Sequence, residues 1–151
     1  MTDVLDGKRL AVLGAGKIGS LLVRSFLKQG LVTPDRLRVT VQHAERARAL
    51  ARDLPVGVST DNRAAASEAD VVLLCVKPQS VTGALETIRA ELGPGKLLIS
   101  VAAAVLTDEQ LAGPLGGFHY RLDQRHPQLP LFQLEDAVDG APGRRRDGSL
   151  E

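Results

Sequence analysis

Tryptophan is absent from this 151-residue chain, and cysteine, methionine and tyrosine occur once each. One cysteine excludes an internal disulfide. Its place within Val71-Val72-Leu73-Leu74-Cys75-Val76 marks Cys75 as a small buried hydrophobe. No Cys and His cluster has metal-ligand spacing, so no metal site is expected. No apolar run is long enough to span a bilayer, and Met1-Thr2-Asp3-Val4-Leu5-Asp6 lacks the basic-then-apolar profile of a signal peptide. An excess of one charge is lacking too. Nineteen Lys and Arg stand against 18 Asp and Glu, a net +1 that gives no broad attraction to nucleic acid or to an anionic membrane. What remains is a cytoplasmic protein of ordinary globular composition, with length for one domain.

Glycine, by contrast, is placed with purpose. Gly14-Ala15-Gly16-Lys17-Ile18-Gly19 lies between an apolar run, Arg9-Leu10-Ala11-Val12-Leu13, and a helical pattern with Ile18, Leu21, Leu22, Ser25 and Phe26 on one face. Strand, glycine loop, helix is the context that gives G-x-G-x-x-G its meaning. Gly14 permits the tight turn, Gly16 lets a pyrophosphate reach the backbone, and Gly19 lets the helix pack closely on the strand. The free N–H groups and positive end of that helix then face the phosphates. Lys17, in its first turn, opposes the helix dipole unless an anion is bound.

Apolar runs and helical segments continue to alternate. Gly30 stands where a helix-terminating glycine belongs, and Pro34 follows in the loop. Strands are expected at 37–41, 56–58, 71–76 and 97–101, and helices at 44–54, from the caps Thr60-Asp61-Asn62 to near Ala69, and at 81–92. The run at 71–76 is apolar on both faces, as a central parallel strand should be. Thr107-Asp108-Glu109-Gln110 has the spacing of a capping box opening one more helix. The order calls for a Rossmann-like α/β fold, a doubly wound parallel sheet with right-handed crossovers.

The residues ending the second strand select between NAD and NADP. A carboxylate there accepts from the ribose hydroxyls and repels a 2′-phosphate. Here the chain reads Val41-Gln42-His43, with no acid until Glu45 and with Arg46 a turn beyond, which favours NADP(H). In such sheets the ligand lies outside the carboxyl ends of the strands, where strand order reverses. The segments expected there are 14–19, Gln42-His43, Val76-Lys77-Pro78 and Ala102-Ala103-Ala104. The small alanines would let a nicotinamide ring pack against backbone.

These residues resemble pyrroline-5-carboxylate reductase. The resemblance is carried by Gly-Ala-Gly-Lys-Ile-Gly-Ser at 14–20, Thr60-Asp61-Asn62, Ala69-Asp70-Val71-Val72 running into Cys75-Val76-Lys77-Pro78-Gln79, and Ile99-Ser100-Val101-Ala102-Ala103. It covers nearly all of residues 8–116, and the V-K-P turn and the S-x-A-A segment are its most specific parts. It implies that Gly14, Gly16, Lys17, Ile18, Gly19, Gln42, Asn62, Val76, Lys77, Pro78, Ala102 and Ala103 hold NADPH. It also implies hydride transfer to the C=N carbon of a cyclic imino acid, giving proline. Lys17-Ile18 stand where the family has Asn-Met, and Ala104 where it has Gly.

Composition changes near Gly117. Before it Phe26 is the only aromatic residue; after it come Phe118, Tyr120 and Phe132, with two of the three histidines and no lysine. The segment 140–148 has no apolar periodicity and reads as disordered. The expected division is therefore a dinucleotide-binding domain over 1–117 and an irregular tail over 118–151. The family continues instead into a helical domain that forms the dimer and supplies most of the imine site, so no catalytic residue is assigned here. Two readings of the tail stand: a frame-shifted remnant of that domain, or a short divergent extension. Two rivals for function also stand, a non-catalytic NADP-binding module or sensor, and an NADP oxidoreductase of the coenzyme F420-dependent type.

Overall fold

The computed structural model of the chain describes residues 5, 7–93, 95–101, 119–122 and 131–135. Strand β1 (Leu10–Leu13) leads through the glycine loop into helix α1 (Lys17–Lys28). Then follow β2 (Leu37–Thr40), α2 (Ala44–Asp53), β3 (Gly57–Ser59), α3 (Asn62–Glu68), β4 (Val71–Leu74), α4 (Val81–Ile88) and β5 (Leu97–Ser100). These five strands pair in parallel in the order β3-β2-β1-β4-β5. The chain thus winds outward to β3, then returns across β1 to start the other half at β4. The sequence expectation of a doubly wound parallel sheet holds for this part of the chain.

Strand periodicity sorts the core into two layers. On β1, Ala11 and Leu13 join Val72 and Leu74 of β4 in one cluster, packed with Ala65 and Ala66 of α3 and Val81, Leu85 and Ile88 of α4. Leu10, Val12, Val71 and Leu73 point the other way and pack with Val23 of α1 and Ala47 and Leu50 of α2. Alternate side chains of a strand face opposite sides, so two apolar faces demand helices on both. Each fully buried leucine or valine contributes about 1.5–3 kcal/mol.

Helix α1 stops where Gly30 predicted. Gly30 takes φ +69°; its N–H donates to Leu27 O at 3.2 Å, and Leu31 N–H donates to Phe26 O at 3.0 Å. That pair of bonds is a Schellman closure. The buried face of α1 differs from the expected one. Ile18 and Leu21 are 64% and 66% exposed, and the buried residues are Gly19, Ser20 and Val23, with Leu22 and Phe26 partly buried beside them. The reason is that Gly19 must face the sheet for the helix to approach, which rotates Ile18 and Leu21 outward.

Two further strands, β6 (His119–Leu122) and β7 (Leu131–Glu135), pair antiparallel, and β7 pairs antiparallel with β5. They lie within the 118–151 segment expected to be irregular, so that expectation does not hold at these nine positions. The edge of β5 offers unpaired backbone groups to any strand-forming sequence, and His-Tyr-Arg-Leu and Leu-Phe-Gln-Leu-Glu have the aromatic content of strands. The expected helix opened by Thr107 and the segment 140–148 lie outside the described residues. Among the described residues, no helix is long and apolar enough to cross a membrane.

Candidate functional site

A cleft of about 480 Å³ opens at the carboxyl ends of β1, β2 and β4, where the strand order reverses. Of the residues singled out in the sequence, Gly14, Gly16, Gln42, His43, Arg46, Asn62, Val76 and Lys77 line it. Lys17, Ile18, Gly19 and Pro78 do not, and Ala102 and Ala103 lie outside the described residues. Thr40, Ser80, Gly83 and Thr87 are lining residues that sequence reasoning missed.

The three glycines of the loop serve three different needs. Gly14 has φ +77°, and a Cβ there would collide with Val76 Cγ1 and lie 3.1 Å from Val76 Cα. Only glycine meets both conditions. At Gly19 a Cβ would lie 3.2 Å from Cys75 Cβ and 3.3 Å from Ala15 Cβ, so this residue sets how closely α1 approaches the end of β4. Gly16 is unlike both, because a Cβ there would meet nothing within 4 Å. Its lack of a side chain serves no packing purpose, and it borders the cleft.

Helix α1 begins beside it. The first intrahelical bond runs from Ser20 N–H to Gly16 O at 3.0 Å. The N–H groups of Lys17, Ile18 and Gly19 precede it, no side chain caps them, and the first turn holds no acid. Such an end attracts an anion through its amides and its dipole together. At α2 the N-cap is His43, again with no side-chain cap, and Arg46 stands in the first turn with Glu45. Among the described residues, the formally charged ones lining the cleft are Arg46 and Lys77, with His43 beside them and no carboxylate.

Thr40 ties the site together. It is fully buried at the end of β2. Its carbonyl accepts from Gly14 N–H at 3.0 Å and from Ala15 N–H at 2.8 Å. Its hydroxyl lies 3.3 Å from Gly14 N–H as a second acceptor and donates to Asn62 Oδ1 at 2.5 Å. The β1 loop, the end of β2 and the start of α3 are thereby one hydrogen-bonded unit. Asp61 closes α3 separately, its carboxylate accepting from Ala64 N–H at 3.1 Å.

Strand β4 ends at Leu74, two residues short of the expected run, because its neighbour β1 ends at Leu13; Cys75 N–H then donates to Leu13 O at 2.8 Å. Cys75 is half-buried rather than buried, and it forms part of the cleft wall. Burial pushes its thiol up to about 12, so it is neutral and no nucleophile at ordinary pH. Among the described residues no group of three or more His, Cys, Asp or Glu is placed to hold a metal ion.

A parallel sheet of this order, with a glycine loop at the reversal and an open, uncapped helix end above it, defines a Rossmann-like dinucleotide-binding domain. Residues 9–104 match the family described as NADP oxidoreductase, coenzyme F420-dependent, and the chain belongs to that family. A pyrroline-5-carboxylate reductase of Methanosarcina acetivorans is 35% identical over 140 residues, 93% of this chain and 51% of that one. The resemblance stated from the motifs is borne out, and the match runs past Gly117 into the segment whose composition looked foreign. The chain spans about half the length of that relative, and 36% of the one from Corynebacterium melassecola. Among solved structures, an imine reductase from Myxococcus stipitatus in complex with NADP+ is 25% identical, with TM-score 0.53 over 64% of this chain and 32% of its own. The Plasmodium falciparum pyrroline carboxylate reductase with NADP bound, 20% identical with TM-score 0.59 over 70% and 37%, shares the fold.

Proposed function

We propose that the cleft binds NADP(H) and that the chain is the cofactor-binding part of a pyrroline-5-carboxylate reductase-like oxidoreductase. The observation that carries this is Gly16: a side-chain-free, unpacked position at the mouth of an uncapped helix, bordering a cleft lined, among the described residues, by cations and no carboxylate. A diphosphate meets there the backbone approach, the free amides of Lys17 and Ile18 and the dipole of α1. Gln42, His43 and Arg46, together with the start of α2, hold the adenine ribose and its 2′-phosphate. Asn62, Val76 and Lys77 contribute beside them, and the family resemblance adds Pro78, Ala102 and Ala103 to the cofactor contacts.

When bound, the reduced nicotinamide supplies a hydride to the C=N carbon of a cyclic imino acid. The protein's part is to orient the cofactor and to set the charge around it. The names of the curated relatives support the imine substrate. The helical, dimer-forming domain that the family resemblance implies belongs to this reading as well.

Arg46→Glu tests the cofactor choice. It should weaken NADPH about tenfold or more and NADH less than about twofold, because only the 2′-phosphate meets residue 46. Equal losses in a fluorescence titration would remove Arg46 from the phosphate site. A second reading, hydride exchange between NADP(H) and coenzyme F420, is favoured by the description of the matching family. Oxidation of NADPH by pyrroline-5-carboxylate, compared with its oxidation by F420, separates the two.

A further inference from the structure

We propose that Thr40 is a positioning residue that fixes the carboxamide of Asn62 with its N–H groups toward the cleft, so that this point of the site accepts an oxygen acceptor, a ribose hydroxyl or a phosphate oxygen. The inference deepens the NADP(H) reading and rests on it for the identity of the ligand.

The argument is one of hydrogen-bond direction. A threonine hydroxyl has one proton to give and lone pairs to receive. Gly14 N–H is a donor and approaches the Thr40 hydroxyl at 3.3 Å, so that side of the oxygen can only accept. The hydroxyl proton goes to Asn62, which therefore presents its oxygen, not its nitrogen, to Thr40. An amide whose oxygen is engaged leaves its two N–H groups for other partners, and no hydrogen bond ties them among the described residues. Asn62 is half-buried and lines the cleft. Thr40 stands at the floor of the cleft but is fully buried, and its hydroxyl is engaged by Gly14 and Asn62, so its effect passes through Asn62. The Gly14 amide also bonds the Thr40 carbonyl at 3.0 Å, so removing the hydroxyl leaves the loop anchored.

The test uses this chain with NADPH as the probe. Thr40→Val keeps the shape and removes the proton; it should raise the Kd for NADPH about tenfold, the usual scale for one lost hydrogen bond. Thr40→Ser restores the hydroxyl and should stay within about twofold of wild type. Asn62→Ala should lose about as much as Thr40→Val, and the double variant should lose no more than Asn62→Ala alone. Full additivity, or an unchanged Kd in Thr40→Val, would overturn the proposal.

A second readout needs no cofactor. In the ligand-free protein, the side-chain amide resonances of Asn62 should move in Thr40→Val and stay in place in Thr40→Ser. Unmoved resonances in Thr40→Val overturn the role of Thr40 whether or not NADPH binds. A wild-type chain that fails to bind NADPH overturns the cofactor reading instead.

Discussion

Helices α1 and α3 begin at the same end of the sheet, and their first turns are finished differently. At α3 the Asp61 carboxylate takes the Ala64 amide at 3.1 Å, closing the helix on itself. At α1 the N-cap is Gly16, which has nothing to cap with, and the first turn carries no acid to answer the dipole. A cap of the Asp61 kind is worth about 1 kcal/mol over alanine, and a few tenths over glycine. The α1 terminus therefore forgoes stability that a single residue would supply. Gly14 and Gly19 are glycines because the fold leaves no room, whereas Gly16 has room and remains bare. The contrast separates residues that build the domain from the one to which the proposed function assigns the ligand's diphosphate.

Three substitutions sharpen that separation. The largest effect is expected from Gly14→Ala, where positive φ and the collision with Val76 combine to cost about 2–4 kcal/mol. Chemical denaturation should show the loss with or without NADPH; a variant as stable as wild type would mean that the turn is not built as described. Asp61→Ala comes next. It should lower stability by about 1 kcal/mol while leaving NADPH affinity within about twofold, since the cap serves α3 alone. A large loss of affinity would mean that the Asp61 cap, beyond the Thr40 bond, holds Asn62 in place for the ligand, and would blur the contrast.

The smallest effect concerns the wall behind the loop. The Cys75 thiol has an ordinary value of 9.0, and burial pushes it up to about 12. Between those values the folded state keeps a proton that the unfolded state has lost. Its contribution is thus fully present below about pH 9 and declines as pH rises toward 12. Cys75→Ala should flatten the stability profile over that window, and parallel profiles for the two proteins would contradict the burial argument.

The parts of the site that follow from local chemistry were legible in the sequence. Gly14 and Gly19 each answer a steric demand within a strand-loop-helix unit, as expected of them, while Gly16 borders the cleft with open space around it. Gly30 closing α1, Asp61 opening α3 and the buried run at Val71–Leu74 are equally local. Thr40 was not legible, because its partners Gly14 and Asn62 lie 26 and 22 residues away and a threonine ending a strand carries no signal by itself. The face of α1 was misjudged for a related reason. Periodicity grouped Ile18 and Leu21 with the core, but close packing at Gly19 turned them outward. Beyond Gly117 the composition concealed the strands His119–Leu122 and Leu131–Glu135, which take their order from the edge of β5 rather than from a pattern of their own.

The most direct measurement is a calorimetric titration of NADPH into this chain and into its Gly16→Asp variant, with the melting temperature of each. An aspartate there would cap α1 and satisfy its dipole, while placing a side chain and a negative charge where the diphosphate must lie. The account predicts saturable NADPH binding by the wild type, binding weakened about 100-fold or more in the variant, and a melting temperature unchanged or raised. Equal affinity in the two proteins would contradict it, and would mean that the open space at Gly16 is not where the cofactor lies.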